Sequence, residues 1–131
     1  MMAKMILSDG EWRIMNLLWV SSPRRVPELT EALQGDTGWS RATVNMMLNR
    51  LEEKGAVRLE AQGRAKVCYP LLSQADARQK ETARFLDRLY GGSLGLMVSS
   101  LAGQQALSEA DLRALRAILA EAEEKEKSDA D

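Results

Sequence analysis

Ser40-Arg41-Ala42-Thr43-Val44-Asn45-Met46-Met47-Leu48-Asn49-Arg50-Leu51-Glu52-Glu53-Lys54-Gly55 is the stretch that decides the fold. Ser40 is a good helix N-cap, and Val44, Met47, Leu48 and Leu51 then recur at i, i+3, i+4 and i+7, one buried stripe of a helix that Gly55 closes. From Ala56 the apolar period shortens to two. Val57, Leu59 and Ala61 alternate with Arg58 and Glu60, Gln62-Gly63-Arg64 makes a turn, and Val67 and Tyr69 alternate again until Pro70 ends the second strand of a hairpin. The stripe needs a cover, and the preceding sequence supplies one. Ser8-Asp9-Gly10-Glu11 has the form of a capping box. It opens a helix with Trp12, Met15 and Trp19 on one side and Ile14, Leu17 and Leu18 beside them, which Ser21-Ser22-Pro23 stops. A second, short helix starts at Pro27, carries Leu29 and Leu33, and ends at Gly35, with Gly35-Asp36-Thr37-Gly38 read as a turn. Helix, helix, helix, hairpin is the element order of a winged helix-turn-helix, although the same order also serves as a plain packing unit.

Beyond Leu72 the chain reads as helical again. Ser73-Gln74-Ala75-Asp76 has the form of a cap, and Ala83, Leu86 and Tyr90 form a stripe with Phe85 and Leu89 beside it. Gly91-Gly92 breaks that helix; Leu94, Met97, Val98 and Leu101 form the next stripe. Ser108-Glu109-Ala110-Asp111 caps a last helix with Leu112, Leu115 and Leu119 inward, and the charged tail from Glu121 to Asp131 is expected to fray. Three short amphipathic helices are too few to close a core of their own, so they need another surface to cover them. The expected fold class is mainly α with a small β-hairpin. Residues 1–72 form the winged helix-turn-helix and residues 73–131 a helical dimerisation domain, held by Leu86, Leu89, Tyr90, Leu94, Met97, Val98, Leu101, Leu112, Leu115 and Leu119.

Composition narrows the function. The chain has 131 residues, one cysteine and no histidine. Internal disulfides, the usual zinc and copper ligand sets, and His-dependent nucleophile pairs cannot be assembled from it, so neither metal, cofactor nor enzymatic activity is expected. Cys68, within a strand, reads as a small apolar filler. No apolar run approaches the ~20 residues of a membrane span, and Met1–Leu7 is too short for a signal peptide, so a soluble cytoplasmic protein is expected. The net charge of −1 divides into 10 Lys+Arg against 8 Asp+Glu up to Leu72 (+2) and 8 against 11 after it (−3).

With the Val44/Leu48/Leu51 stripe inward, about 100° per residue places Ala42, Asn45, Met46, Asn49 and Glu53 outward, flanked by Arg41, Thr43 and Arg50. Asparagine pairs a donor and an acceptor that match adenine N6 and N7, Met46 can pack on a thymine methyl, and Thr43 and Arg50 can position phosphates. Arg64 and Lys66 at the hairpin tip, with Gln62 adjacent, are placed to grip a phosphate backbone. Trp39, one residue ahead of the Ser40 cap, is expected to pack as a hydrophobic staple.

Three stretches resemble the penicillinase-repressor (BlaI/MecI/CopY) family of bacterial regulators. They are Glu11-Trp12-Arg13-Ile14-Met15-Asn16-Leu17-Leu18-Trp19, Trp39-Ser40-Arg41-Ala42-Thr43-Val44 continuing through Arg50-Leu51-Glu52-Glu53-Lys54-Gly55, and Phe85 through Leu89-Tyr90-Gly91-Gly92-Ser93-Leu94. The similarity runs in order from about Leu7 to about Ala122. It implies a dimeric repressor with an N-terminal winged helix and a C-terminal helical dimerisation domain, bound to dyad operators with TACA/TGTA-like elements. Thr43 matches the family's threonine near the start of the recognition helix, and Arg50 its Arg-Leu pair. Relatives often carry basic residues where this chain has Ala42 and Asn45; Arg41 can supply the missing charge. Better-known members leave DNA when a sensor-triggered protease cuts an Asn–Phe bond, where this chain has Ser100-Leu101, and copper-responsive members carry C-terminal cysteines that it lacks. A different regulatory protease or another inducing signal is therefore expected. The leading function is a homodimeric bacterial transcriptional repressor on double-stranded operator DNA. The alternative is a winged-helix protein-interaction module without sequence-specific DNA binding, and salt-dependent binding to duplex DNA separates the two.

Overall fold

A computed structural model describes residues 6–130; of Met1–Leu7 it thus includes Ile6 and Leu7, and Asp131 lies outside it. The Ser8 cap opens helix α1 (Asp9–Val20) as a true capping box: Glu11 N donates to Ser8 Oγ at 3.2 Å and Ser8 N to Glu11 Oε1 at 2.8 Å. Ile14, Met15 and Leu18 are fully buried, with Trp12, Leu17 and Trp19 packed around them. Strand β1 (Arg24–Arg25) follows, then helix α2 (Val26–Thr37), with Pro27 in its first turn, and helix α3 (Arg41–Glu53), whose Ser40 cap accepts from Thr43 N at 3.1 Å. Strands β2 (Val57–Gln62) and β3 (Ala65–Pro70) form the hairpin. Then come helices α4 (Gln74–Tyr90), α5 (Leu94–Gly103) and α6 (Glu109–Ala130).

The chain divides into two compact units, Met1–Thr82 and Ala83–Asp131. In the first, Val44, Leu48 and Leu51 of α3 are buried with the apolar faces of α1 and α2, and Val57 and Cys68 close the core from the sheet. Trp39 is half-buried against that core, and α1 leaves room for it at Gly10, where a side chain would meet Met47 Cε at 2.8 Å and Trp39 Cη2 at 3.2 Å. Trp19 Nε1 donates to Leu72 O at 2.9 Å, tying the end of the hairpin to α1.

Four expectations change. The sheet has three antiparallel strands in the order β1-β3-β2, because Arg24 and Arg25 pair with Cys68 and Val67. Helix α2 runs through Gly35 and ends at Gly38, whose φ of 74° provides the left-handed turn while its N–H donates to Gln34 O. The first unit extends past Leu72 to Thr82, since Ala77 on α4 is buried in its core. The acidic tail, expected to fray, is the end of a 22-residue helix: alanines and the Glu121/Lys125 and Glu123/Lys127 spacings favour it.

The second unit is packed differently. From Ala83 to Asp129 no side chain is buried, although Leu89, Leu94, Leu96, Ile118 and Leu119 are each more than half exposed. Gly91 and Gly92, at φ 57° and 87°, separate α4 from α5, and Ser100 and Leu101 lie inside α5. Between α5 and α6, Gln105 sits at φ 57° while Ala106 N donates to Leu101 O, the closing bond of a Schellman turn at a position that favours glycine. No helix among the described residues is long and apolar enough to cross a membrane.

One polar contact crosses the first core. Glu11 is almost fully buried and pairs with Lys54 Nζ, which also donates to Ile6 O at 2.7 Å, so the start of α1 is fastened to the end of α3. Burial alone raises the Glu11 pKa, but hydrogen bonds from Lys54 and Ser8 and the charge of Lys54 outweigh it and hold the carboxyl below its ordinary value of 4.5. The pair therefore contributes stability above pH 4.5 that is lost as pH falls through the lowered pKa. Lys54→Met is expected to leave a buried carboxylate without its cation and to cost roughly 2–3 kcal/mol at pH 7, discounted from the fully buried case because Lys54 is partly exposed. Its deficit narrows at pH 4, where Glu11 can take up a proton; denaturant unfolding at the two pH values, followed by tryptophan fluorescence, checks this. Gln105→Gly is expected to raise the stability of the second unit by about 0.5–1 kcal/mol, read as an upward shift in the circular-dichroism melt.

Candidate nucleic-acid interface

Because α3 buries one stripe, its opposite face is committed to the outside. Arg41, Ala42, Asn45, Met46, Asn49 and Arg50 are all exposed, and Met46, at 45 % exposure, is a large apolar side chain with no cover. Thr43 is half-buried, its hydroxyl 3.1 Å from Ser40 Oγ at the helix start.

Beside this face runs a groove of about 660 Å³ between α2, α3 and the hairpin. It brings together Arg41, Asn45 and Asn49 from α3 with Arg64 and Lys66 from the hairpin tip. Ala42, Thr43, Met46 and Arg50, on the other flank of α3, do not line it. The α2 wall consists of Val26, Pro27, Thr30, Glu31 and Gln34, none of which stands out in the sequence as a site residue. Their spacing along one helical face is a signal, but it marks the groove only once α2 is docked on α3. Thr30 is not available to a ligand as a donor, since its hydroxyl donates to Val26 O at 2.9 Å.

The hairpin is stiffened from the side. Tyr69 receives a hydrogen bond from Gln62 Nε2 at 2.6 Å and holds the Arg58 guanidinium 4.6 Å from its ring centre, and Arg58 also pairs with Glu60 at 3.4 Å. Gln62 is thus engaged within the hairpin, while Arg64 and Lys66 are exposed and in no ion pair among the described residues, leaving their charges for an external anion. Cys68 is wholly buried; burial, with a further push from the Glu52 charge, raises its thiol to about 12, so it stays protonated and acts as packing.

Three helices around one core, a two-residue strand, and a hairpin placed beside the outward face of the third helix define a winged helix-turn-helix protein of the DNA-binding type. Residues 7–121 match the family model described as penicillinase repressor, and the chain belongs to that family. It is 31% identical over 121 residues to the penicillinase repressor of Bacillus licheniformis, covering 92% of this chain and 94% of that one. It is 26% identical over 113 residues to the methicillin resistance regulatory protein MecI of Mammaliicoccus sciuri, covering 86% and 92%. Among solved structures, the DNA-binding domain of the repressor BlaI superposes with a TM-score of 0.53 at 32% identity, over 58% of this chain and 93% of the domain.

The positions of the side chains give two distinct expectations for duplex binding. Arg64→Ala and Lys66→Ala are expected to weaken binding to every duplex alike and to lower the salt slope by about one for each phosphate that is no longer neutralised. Asn45→Ala is expected to cost on the order of 1–3 kcal/mol on the best site and little on random DNA. Fluorescence anisotropy titrations on both duplexes over a range of salt give both readings.

Proposed function

We propose that this chain is a homodimeric, cytoplasmic bacterial transcriptional repressor. It binds dyad-symmetric operator DNA with α3 in the major groove and the hairpin on the neighbouring backbone. The Bacillus licheniformis relative is a penicillinase repressor, and the BlaI match is to the DNA-binding domain of a repressor. In this chain Asn45, Asn49 and Met46 supply base-edge contacts, with Ala42 beside them; Arg41, Thr43, Arg50, Arg64 and Lys66 supply phosphate contacts.

The observation that carries the dimer is the second unit itself. It holds the end of α4, all of α5 and α6, and abundant leucine, and not one buried side chain from Ala83 to Asp129. Covering Leu89, Leu94, Leu112 and Leu119 with a second copy supplies the missing core, with half-buried Leu86, Tyr90, Met97, Val98, Leu101 and Leu115 completing the interface. Phe85, Leu96 and Ile118, exposed in the same unit, join that set. Two linked winged helices then hold two half-sites, and the second binding event becomes intramolecular.

Selection of bound DNA from a random duplex pool is expected to return a two-fold symmetric sequence. Sedimentation at micromolar concentration is expected to show a dimer. Leu94→Glu combined with Leu119→Glu is expected to shift it to monomer and to weaken operator binding by about 100-fold or more, with much less effect on random duplex. A folded wild-type monomer with undiminished operator affinity contradicts the proposal.

A further inference from the structure

We propose that Glu31 is a negative determinant of DNA binding, a carboxylate set against the sugar-phosphate backbone so that binding driven by phosphate charge alone stays weak. The inference rests on the reading of the α2–α3–hairpin groove as the seat of duplex DNA. Of the residues lining that groove, Arg41, Arg64 and Lys66 are cationic and Glu31 is the single acid. It is exposed, and no ion pair among the described residues neutralises it: those pairs are Arg13–Asp36, Lys54–Glu11 and Arg58–Glu60.

A carboxylate only accepts hydrogen bonds, and the DNA backbone offers only acceptors, so no favourable polar contact between the two exists. Base amino groups could satisfy Glu31, but the first helix of a helix-turn-helix crosses the backbone while the second meets the base edges. Glu31 lies on α2, that first helix; Asn45 and Asn49 of α3 hold the base-facing side of the same groove. What Glu31 meets is therefore phosphate. Its charge reduces the groove from +3 to +2, removing part of the attraction that every duplex shares while leaving the amide and apolar contacts of α3 untouched. For a repressor this is useful, because random genomic DNA competes with the operator through that shared attraction.

The test is anisotropy titration of the full chain against a random-sequence duplex and the selected operator, from low to moderate salt. Glu31→Gln keeps the shape and removes the charge, Glu31→Ala removes both, and Glu28→Gln removes an exposed charge from the same helix outside the groove. Both Glu31 variants are expected to bind the random duplex about three- to tenfold more tightly at low salt, with the gain shrinking as salt rises, and Glu28→Gln to gain less than about twofold. Unchanged affinity, an equal gain from Glu28→Gln, or weaker binding confined to the operator overturns the proposal; the last would make Glu31 a reader of a base amino group or a support for Arg41. Wild-type protein without salt-dependent duplex binding overturns the underlying reading as well, whereas a binding wild type with unresponsive Glu31 variants overturns this inference alone.

Discussion

Burial of Val44, Leu48 and Leu51 constrains nearly everything else in the first unit. A helix turns about 100° per residue, so once those three side chains sit in the core, α3 has no rotational freedom left, and Arg41, Ala42, Asn45, Met46 and Asn49 have nowhere to go but outward. The helix ends are fixed by separate means. Ser40 caps the start, and Lys54, at the C-cap, reaches back to Glu11 in the first turn of α1. An apolar stripe sets rotation and two polar contacts set axial position, which together give a recognition surface of defined shape without any contact from outside.

The reach of sequence reading follows the range of the forces involved. The α3 stripe, the Ser8 and Ser40 caps and the β2–β3 alternation are local patterns, and each has its counterpart in the structure. Strand β1 is two residues long, too short to show a period; it exists because Cys68 and Val67 on β3 offer it a free edge. Gly35 reads locally as a stop. Inside a helix a glycine costs about 1 kcal/mol relative to alanine, which the burial of Leu29 and Leu33 offsets, and Gly38 meets the stricter demand for positive φ. Of the proposed DNA contacts, those on α3 and the hairpin tip are legible because each follows from one element. The α2 wall with Glu31 is not, because it becomes part of a groove only through tertiary packing.

The second unit shows what a helical pattern means without a core. Its stripes have the same i, i+3, i+4 spacing as α3, and that of α5 (Leu94, Met97, Val98, Leu101) is built from the same residue types as Val44, Met47, Leu48 and Leu51, yet the side chains stay partly or wholly open. Spacing predicts the helix and the face; it does not say whether the cover comes from the same chain. Exposed leucine across three consecutive helices is far more than scattered surface apolarity, and the proposed two-fold dimer would cover it.

Charge and assembly are linked in the proposed repressor. The residues up to Leu72 carry a net +2, little for a protein that has to hold a polyanion, and one carboxylate faces into the groove itself. A single winged helix with so modest a charge draws limited affinity from phosphates, and base contacts from one short helix add a few kcal/mol at most. Joining two such modules changes the sum without changing either surface, because the second half-site is met at the effective concentration set by the first. Weak single-site attraction is then an advantage: it keeps isolated encounters with random DNA short-lived and leaves the paired sites as the place where both modules engage. Any event that separates the second units would lower operator occupancy steeply, while the DNA-reading face of α3 remained intact.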